Sequence, residues 1–350
     1  MTSIARETSA DAIFAHLKAR LDYTYAEGLR AKAEVAAAVN RLKQERNAVI
    51  LGHNYMEPAL FHSIPDYTGD SLGLSRRAAE VDQDVIVFCG VRFMAETAKI
   101  LNPSKTVLVP SVRAGCSLAE SISAADVRRL REQYPGVPVV TYVNTYADVK
   151  AESDICCTSS NAAAVVNHLD TDTVIFLPDE YLAQNVAKET GKRIIFPSAQ
   201  GDGAPAGDVD AEIIGWEGRC IVHELFNVDD IRTVREENPE AVVLAHPECS
   251  PEVVAAADYS GSTSAMIDYV ERTDAPSYLL LTECSMGENI MAEHPEKKML
   301  RKCWQRCPHM NEITLENTRD ALEKTQYEVD VPEAVRERAR EAVERMLAIG

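Results

Sequence analysis

No apolar run in the 350 residues approaches the roughly 18 that a membrane-crossing helix needs, so a helical membrane protein is excluded. The opening MTSIARETSADAIF has no apolar core of the kind a secretory signal carries, and a cytoplasmic protein is expected. Positive charge is in short supply: 36 Lys+Arg face 55 Asp+Glu, a formal net charge of −19. Such a field repels nucleic acid and anionic membranes, and neither is expected as a partner. Phosphate-binding glycine loops are missing, with no Gly-x4-Gly-Lys-Ser/Thr and no Gly-x-Gly-x2-Gly, which disfavours nucleotide binding. There is no Cys-x2-Cys pair for a local structural zinc, nor the Cys-x3-Cys-x2-Cys of radical enzymes. The nine cysteines are an odd number without an export signal. Reduced thiols are therefore expected, either buried as small hydrophobes or gathered for metal binding or catalysis.

What is present is the pattern of an ordinary globular chain, 46% hydrophobic and 26% charged, long enough for two or three domains. Residues 1–44 read as helix, rich in Ala, Leu, Glu, Lys and Arg. Apolar strands then alternate with helical stretches: Ala48–Leu51, Val85–Cys89, Val107–Val109, Val137–Val143, Val174–Leu177, Ile194–Phe196, Ala241–Ala245 and Tyr278–Leu281. Continuous apolar strands separated by helices point to βαβ units and parallel sheets covered on both faces. Pro332–Leu347 reads as a charged amphipathic helix.

A weak repeat runs through this α/β region. Three strands end in a polar side chain, at His53, Asn144 and His246. Fifteen to eighteen positions later come the hydroxyl clusters Gly69-Asp-Ser71, Thr158-Ser159-Ser160 and Gly261-Ser262-Thr263, then a helix, then a second strand and helix. Each unit's last element supplies a cysteine: Cys116, Cys220 and, least regularly, Cys307. The fold class expected is therefore α/β: three pseudosymmetric αβα (Rossmann-like) domains over residues 45–134, 135–238 and 239–330. A helical extension of residues 1–44 precedes them. A C-terminal helix of residues 331–350 follows, joining the first domain. Ligands of parallel sheets lie beyond the carboxyl ends of the strands, so the three strand ends and three hydroxyl-capped helix starts should converge on one anion-binding pocket.

One thiol from each of three domains suits an iron–sulfur cluster better than zinc, since clusters accept widely spaced thiolates. Three protein ligands would leave one iron open as a Lewis acid. Cys303 and Cys307 share a helical face, so by spacing either could be the third ligand. Cys89, Cys156, Cys157, Cys249 and Cys284 read as packing thiols, and His16, His62, His168, His294 and His309 as structural or surface histidines. His53, His223 and His246 stand apart at strand ends or beside a candidate cysteine. His246 and Glu248, two apart, form a plausible acid–base pair.

Gly52-His-Asn-Tyr55, Gly69-Asp-Ser-Leu72, Phe88-Cys-Gly-Val-Arg-Phe-Met-Ala-Glu96, Tyr142-Val-Asn144, Lys150-Ala-Glu-Ser-Asp154, Cys157-Thr-Ser-Ser-Asn-Ala162, Cys220-Ile-Val-His-Glu224, His246-Pro-Glu-Cys249, Gly261-Ser-Thr263 and Cys307-Pro-His-Met310 closely resemble the iron–sulfur quinolinate synthase family, in order, from about Ala48 onward. The resemblance implies three pseudosymmetric domains around a 4Fe–4S cluster held by Cys116, Cys220 and Cys307. It also implies condensation of iminoaspartate, supplied by L-aspartate oxidase, with dihydroxyacetone phosphate, to give the quinolinate used in NAD biosynthesis. By the same resemblance His53, Ser71 and Ser159 hold substrate carboxylates, and Asn144, Ser262 and Thr263 orient substrate or phosphate. Tyr55, Tyr142, His246 and Glu248 act in proton transfer and positioning, and His223 lines the cavity beside Cys220. Another iron–sulfur hydro-lyase and a non-catalytic scaffold are the rival readings. Polar residues at three strand ends argue against the scaffold, because structure alone does not require them.

Overall fold

The structure, a computed structural model, describes residues 3–21, 26–197, 211–300 and 305–349. The helical N-terminus is present as a 3-10 turn at Ser3–Arg6 and helices at Ala10–Arg20 and Ala26–Glu45. Ser9 starts the first of these by accepting the Ala12 N–H on its side chain. The second buries Leu29, Ala33, Ala36 and Ala37, a helical-period stripe, against it. Among the described residues no helix is long and apolar enough to cross a membrane.

Among the described residues twelve strands form three sheets, and every pairing between these strands is parallel. The first has the order β2-β1-β3-β4, with β1 at Ala48–His53, β2 at Tyr67–Gly69, β3 at Val85–Cys89 and β4 at Thr106–Leu108. The second has the order β6-β5-β7-β9-β8, with β5 at Val139–Tyr142, β6 at Ile155–Cys157, β7 at Val174–Leu177, β8 at Ile194–Ile195 and β9 at Ile213–Ile214. The third has the order β11-β10-β12, with β10 at Val242–Ala245, β11 at Tyr259–Ser260 and β12 at Tyr278–Leu281. All eight expected strands are present to within two residues at either end. The four additional ones, β2, β6, β9 and β11, are two or three residues long, too short to leave an apolar run. Residues 198–210 lie outside the described residues, and β9 follows shortly after them.

The repeat is built into the hydrogen bonding. In the strand next to the short edge strand of each sheet, one residue donates its N–H to an aspartate carboxylate just ahead of that edge strand: Ile50 to Asp66 (2.9 Å), Val139 to Asp154 (2.7 Å) and Val243 to Asp258 (2.8 Å). Each aspartate returns its own N–H to the carbonyl of that residue, at 2.9, 3.0 and 2.9 Å. Each also faces a cation from the preceding helix: Lys43 at 3.2 Å, Arg131 at 2.7 Å and Arg235 at 2.9 Å. This device aligns the three units residue by residue and corrects the sequence alignment. Tyr142, not Asn144, stands level with His53 and His246, while Asn144 stands two residues further on, level with Tyr55 and Glu248.

The C-terminal helix, Glu333–Ile349, packs across the Ala147–Ala151 helix, β6 and the Arg92–Leu101 helix, tying the first two sheets together. It buries Ala339, Ala342, Val343 and Met346 there.

Candidate active site

The loops leaving β1, β5 and β10 open onto one shared cavity, also lined by residues from the hydroxyl clusters and by three cysteines. Helix starts border it, though not all as expected. Asp70, not a hydroxyl, caps the Ser71–Glu80 helix, accepting the Gly73 N–H at 2.9 Å. Ser262 caps Thr263–Arg272, and Asn161 precedes Ala162–His168 without a side-chain cap. No Lys or Arg lines the cavity among the described residues, whereas Asp70, Glu248 and Glu283 do. Among the described residues, the groups that can hold an anion there are neutral donors and helix N-termini.

His53 and His246 are set up as such donors. In each loop the backbone N–H two residues on donates to the ring: Tyr55 N–H to His53 Nδ1 (3.2 Å) and Glu248 N–H to His246 Nδ1 (3.3 Å). A neutral ring whose Nδ1 accepts carries its proton on Nε2. Burial keeps both rings neutral, pushing His53 down to about 4 and His246, with help from the neighbouring His223, to about 3.

Glu248 sits at the centre. Its Oε2 is 2.7 Å from His223 Nδ1, and its Oε1 accepts from the Tyr142 hydroxyl at 2.5 Å and Asn144 Nδ2 at 3.3 Å. Burial raises the carboxyl, but the His223 ring and the bonds from His223 and Tyr142 more than offset this, so the group stays ionised. His223 Nε2 in turn lies 3.0 Å from Thr282 Oγ1, which is 2.5 Å from the Tyr55 hydroxyl. One unbroken chain therefore links Tyr55, Thr282, His223, Glu248 and Tyr142. Burial, then the nearby Glu248 charge, raises both tyrosines well above the usual phenol value, so they remain protonated donors.

Cys116, Cys220 and Cys307 line the same cavity, and none is in a disulfide. Their local geometry is threefold repeated. The carbonyl of each accepts the N–H four residues on, from Glu120, Glu224 and Asn311, each at 3.0 Å. At each sulfur the backbone N–H groups two and three residues on favour the thiolate and work against burial: Leu118 and Ala119, Val222 and His223, His309 and Met310. Burial is nonetheless dominant, raising Cys116 to about 12, Cys307 to about 11 and Cys220 well above its usual value. Two amides aimed at a sulfur are wasted on a neutral thiol and suit a thiolate, which at these sites needs a cation to form. The donor set fits a thiolate-bound metal centre. Cys220, His223 and Glu248 also bring ligand atoms within 4.8 Å of one another.

The packing cysteines behave as read: Cys89, Cys156, Cys157 and Cys249 are buried, and none has such a pair of amides on its sulfur. Cys284 is the exception, being disulfide-bonded where a core thiol was expected. Cys303, the alternative third ligand, lies outside the described residues.

Of the residues expected at the site, His53, Tyr55, Ser71, Cys116, Tyr142, Asn144, Ser159, Cys220, His223, His246, Glu248, Thr263 and Cys307 all line the cavity. Ser262 does not. It backs the wall, donating to Asp70 Oδ2 at 3.0 Å. The sequence reading missed Asp70, Thr282, Glu283 and His309. Thr282 follows β12 at a fourth strand end, and His309 stands two residues after Cys307, much as His223 follows Cys220 by three. Glu283, raised by burial to about 7, was hidden because nothing marks an acid after an apolar strand as buried.

The chain matches the family model described as quinolinate synthetase A protein over residues 37–348. It is 57% identical to quinolinate synthase 2 of Mesorhizobium japonicum over 312 residues, 89% of this chain and 90% of that protein. Quinolinate synthase of Agrobacterium fabrum is 56% identical over 312 residues, covering 89% and 85%. Quinolinate synthase of Sinorhizobium medicae is 51% identical over 346 residues, covering 99% and 89%.

Proposed function

The chain belongs to the quinolinate synthetase A family of NAD biosynthesis, and from that premise we propose that it condenses iminoaspartate with dihydroxyacetone phosphate to quinolinate, releasing phosphate and water, in the cavity shared by the three strand ends. Cys116, Cys220 and Cys307 would hold a 4Fe–4S cluster. The observation that carries this reading is that three cysteines in the same threefold-repeated backbone turn open onto one cavity together with the neutral donors. When bound, such a cluster with three protein ligands supplies an open Lewis-acidic iron.

The chain's own groups do the rest. Nε2–H of His53 and His246, the hydroxyls of Ser71, Ser159 and Thr263, and the helix starts behind them hold carboxylate and phosphate oxygens. Asn144 Oδ1, buried and without a hydrogen-bond partner, is available to a substrate N–H or O–H. The chain from Tyr55 through Thr282 and His223 to Glu248 moves protons. Tyr55 donates toward substrate and is resupplied through Thr282, while Glu248 keeps the His223 Nδ1–H in place and orients Tyr142. The three-unit division at residues 45–134, 135–238 and 239–330 is kept in this reading, with the aspartate clamp of each unit as its support.

The test is quinolinate formation by anaerobically prepared, iron-loaded protein given iminoaspartate and dihydroxyacetone phosphate. Glu248→Gln should lower kcat by about 10²–10⁴-fold at unchanged iron content. A wild type that forms no quinolinate removes the functional reading, and a Glu248→Gln enzyme within threefold of wild type removes the relay alone.

A further inference from the structure

Each strand-end loop is held by a backbone clamp of one design. After β1, Asn289 Nδ2 donates to the carbonyls of Asn54 (3.1 Å) and Met56 (2.9 Å), on either side of Tyr55. After β10, Asn185 Nδ2 donates to the carbonyls of Pro247 (2.8 Å) and Cys249 (2.9 Å), on either side of Glu248. After β5, Lys150 Nζ donates to the carbonyls of Val143 (2.8 Å) and Thr145, on either side of Asn144. The three bracketed residues are those that the aspartate device makes equivalent. Carbonyls two residues apart can share one nitrogen only when they turn to the same side.

The clamping amides carry a cost that packing alone does not explain. Asn185 Oδ1 and Asn289 Oδ1 are buried with no hydrogen-bond partner. An unsatisfied buried acceptor is destabilising, a cost that an apolar residue of similar size would avoid. Lys150 is wholly buried, with Nζ 5.5 Å from the Phe93 ring centroid, and does not line the cavity, so a nucleophilic role is excluded. Two clamps also reach between units. Asn289, on the Ser285–Glu293 helix beside the third sheet, holds a loop of the first, and Asn185, on the Glu180–Thr190 helix beside the second, holds a loop of the third.

We propose that Asn289, Lys150 and Asn185 are positioning residues that fix Tyr55, Asn144 and Glu248 toward the cavity. This rests on the reading of those three as site residues. Because two clamps cross between units, the site's geometry is assembled only when the units are docked.

Asn185→Asp and Asn289→Asp keep the shape of the side chain but place a non-donating carboxylate against two carbonyls. Per folded, iron-loaded chain, kcat should fall about 10–100-fold while KM stays within about threefold, the size expected when a reacting group is misplaced by about 1 Å. Hydrogen exchange gives a second readout, independent of activity. Asn185→Asp should speed exchange about tenfold or more over residues 246–250 and leave residues 53–57 unchanged, and Asn289→Asp should do the reverse. Wild-type kcat per folded chain, or a loss that merely follows the folded fraction, overturns the positioning role, as does unchanged or evenly spread exchange. If the wild type makes no quinolinate, the functional reading fails instead, and the exchange pattern still decides the clamp.

Discussion

The aspartate device occurs three times with the same bonds and different burial, which turns three substitutions into one experiment. Asp66 and Lys43 are 7% and 3% exposed, whereas Asp154 with Arg131 and Asp258 with Arg235 are each between 36% and 42% exposed. Asp→Asn leaves an oxygen for the strand N–H but removes the charge. At the two half-exposed sites the lost ion pair contributes at most about 1 kcal/mol, and the weakened hydrogen bond a similar amount. At the buried site the same change leaves the Lys43 ammonium facing only neutral oxygens, the Ile64 carbonyl at 2.8 Å among them, and a buried charge without its counter-charge costs roughly 3–5 kcal/mol. Urea unfolding at pH 7 should therefore show Asp66→Asn losing at least about 2 kcal/mol more than either counterpart. Added salt at about 1 M should shrink the two small losses and spare the large one. Burial already lowers Lys43 from its usual value, with Asp66 pulling the other way. Without Asp66 the folded state holds that proton still less well than the unfolded chain. Stability of Asp66→Asn should thus recover as pH rises toward 10.5. Equal losses at the three sites, or the smallest at Asp66, would refute the reasoning.

Two further outcomes follow from named atoms. A Cβ on Gly218 would lie 2.5 Å from the Pro178 carbonyl oxygen and 2.5 Å from Ser121 Oγ, so Gly218→Ala should cost about 1–3 kcal/mol. It should also lower iron content through Cys220, two residues on, and wild-type melting with full iron would count against this. His53 is held neutral by burial, down to about 4 from 6.5, so its contribution is intact above 6.5 and lost as pH falls to 4. The difference of 2.5 units corresponds to about 3 kcal/mol. His53→Asn should flatten the acid limb of the stability curve by about that much, and an unchanged limb would sink the assignment.

Much of this was legible in the residues. Eight of the strands announced themselves as apolar runs, and the strand-end polar residues with one cysteine per unit pointed to a shared site. The alignment slipped by two at Asn144 because sequence similarity followed the Asn and His side chains. The true register is set by Asp66, Asp154 and Asp258, whose common role is a bond to backbone and leaves no motif. Thr282, Asn185 and Asn289 were invisible for the same reason: each acts across a long sequence separation, and none lies in a motif whose spacing reports chemistry. The third cysteine is the informative case. Spacing left Cys303 and Cys307 open. The amides of His309 and Met310 on the Cys307 sulfur repeat what Cys116 and Cys220 show.

The central claim is that three equivalent cysteines, one from each unit, hold one cluster that quinolinate formation depends on. The direct measurement is iron and sulfide content together with quinolinate formation, made anaerobically on wild type and on Cys116→Ala, Cys220→Ala and Cys307→Ala. About four irons and product in the wild type, with cluster and product lost together in all three variants while Cys249→Ala keeps both, is the predicted result. A Cys307→Ala protein that retains its iron and its quinolinate formation would contradict the account.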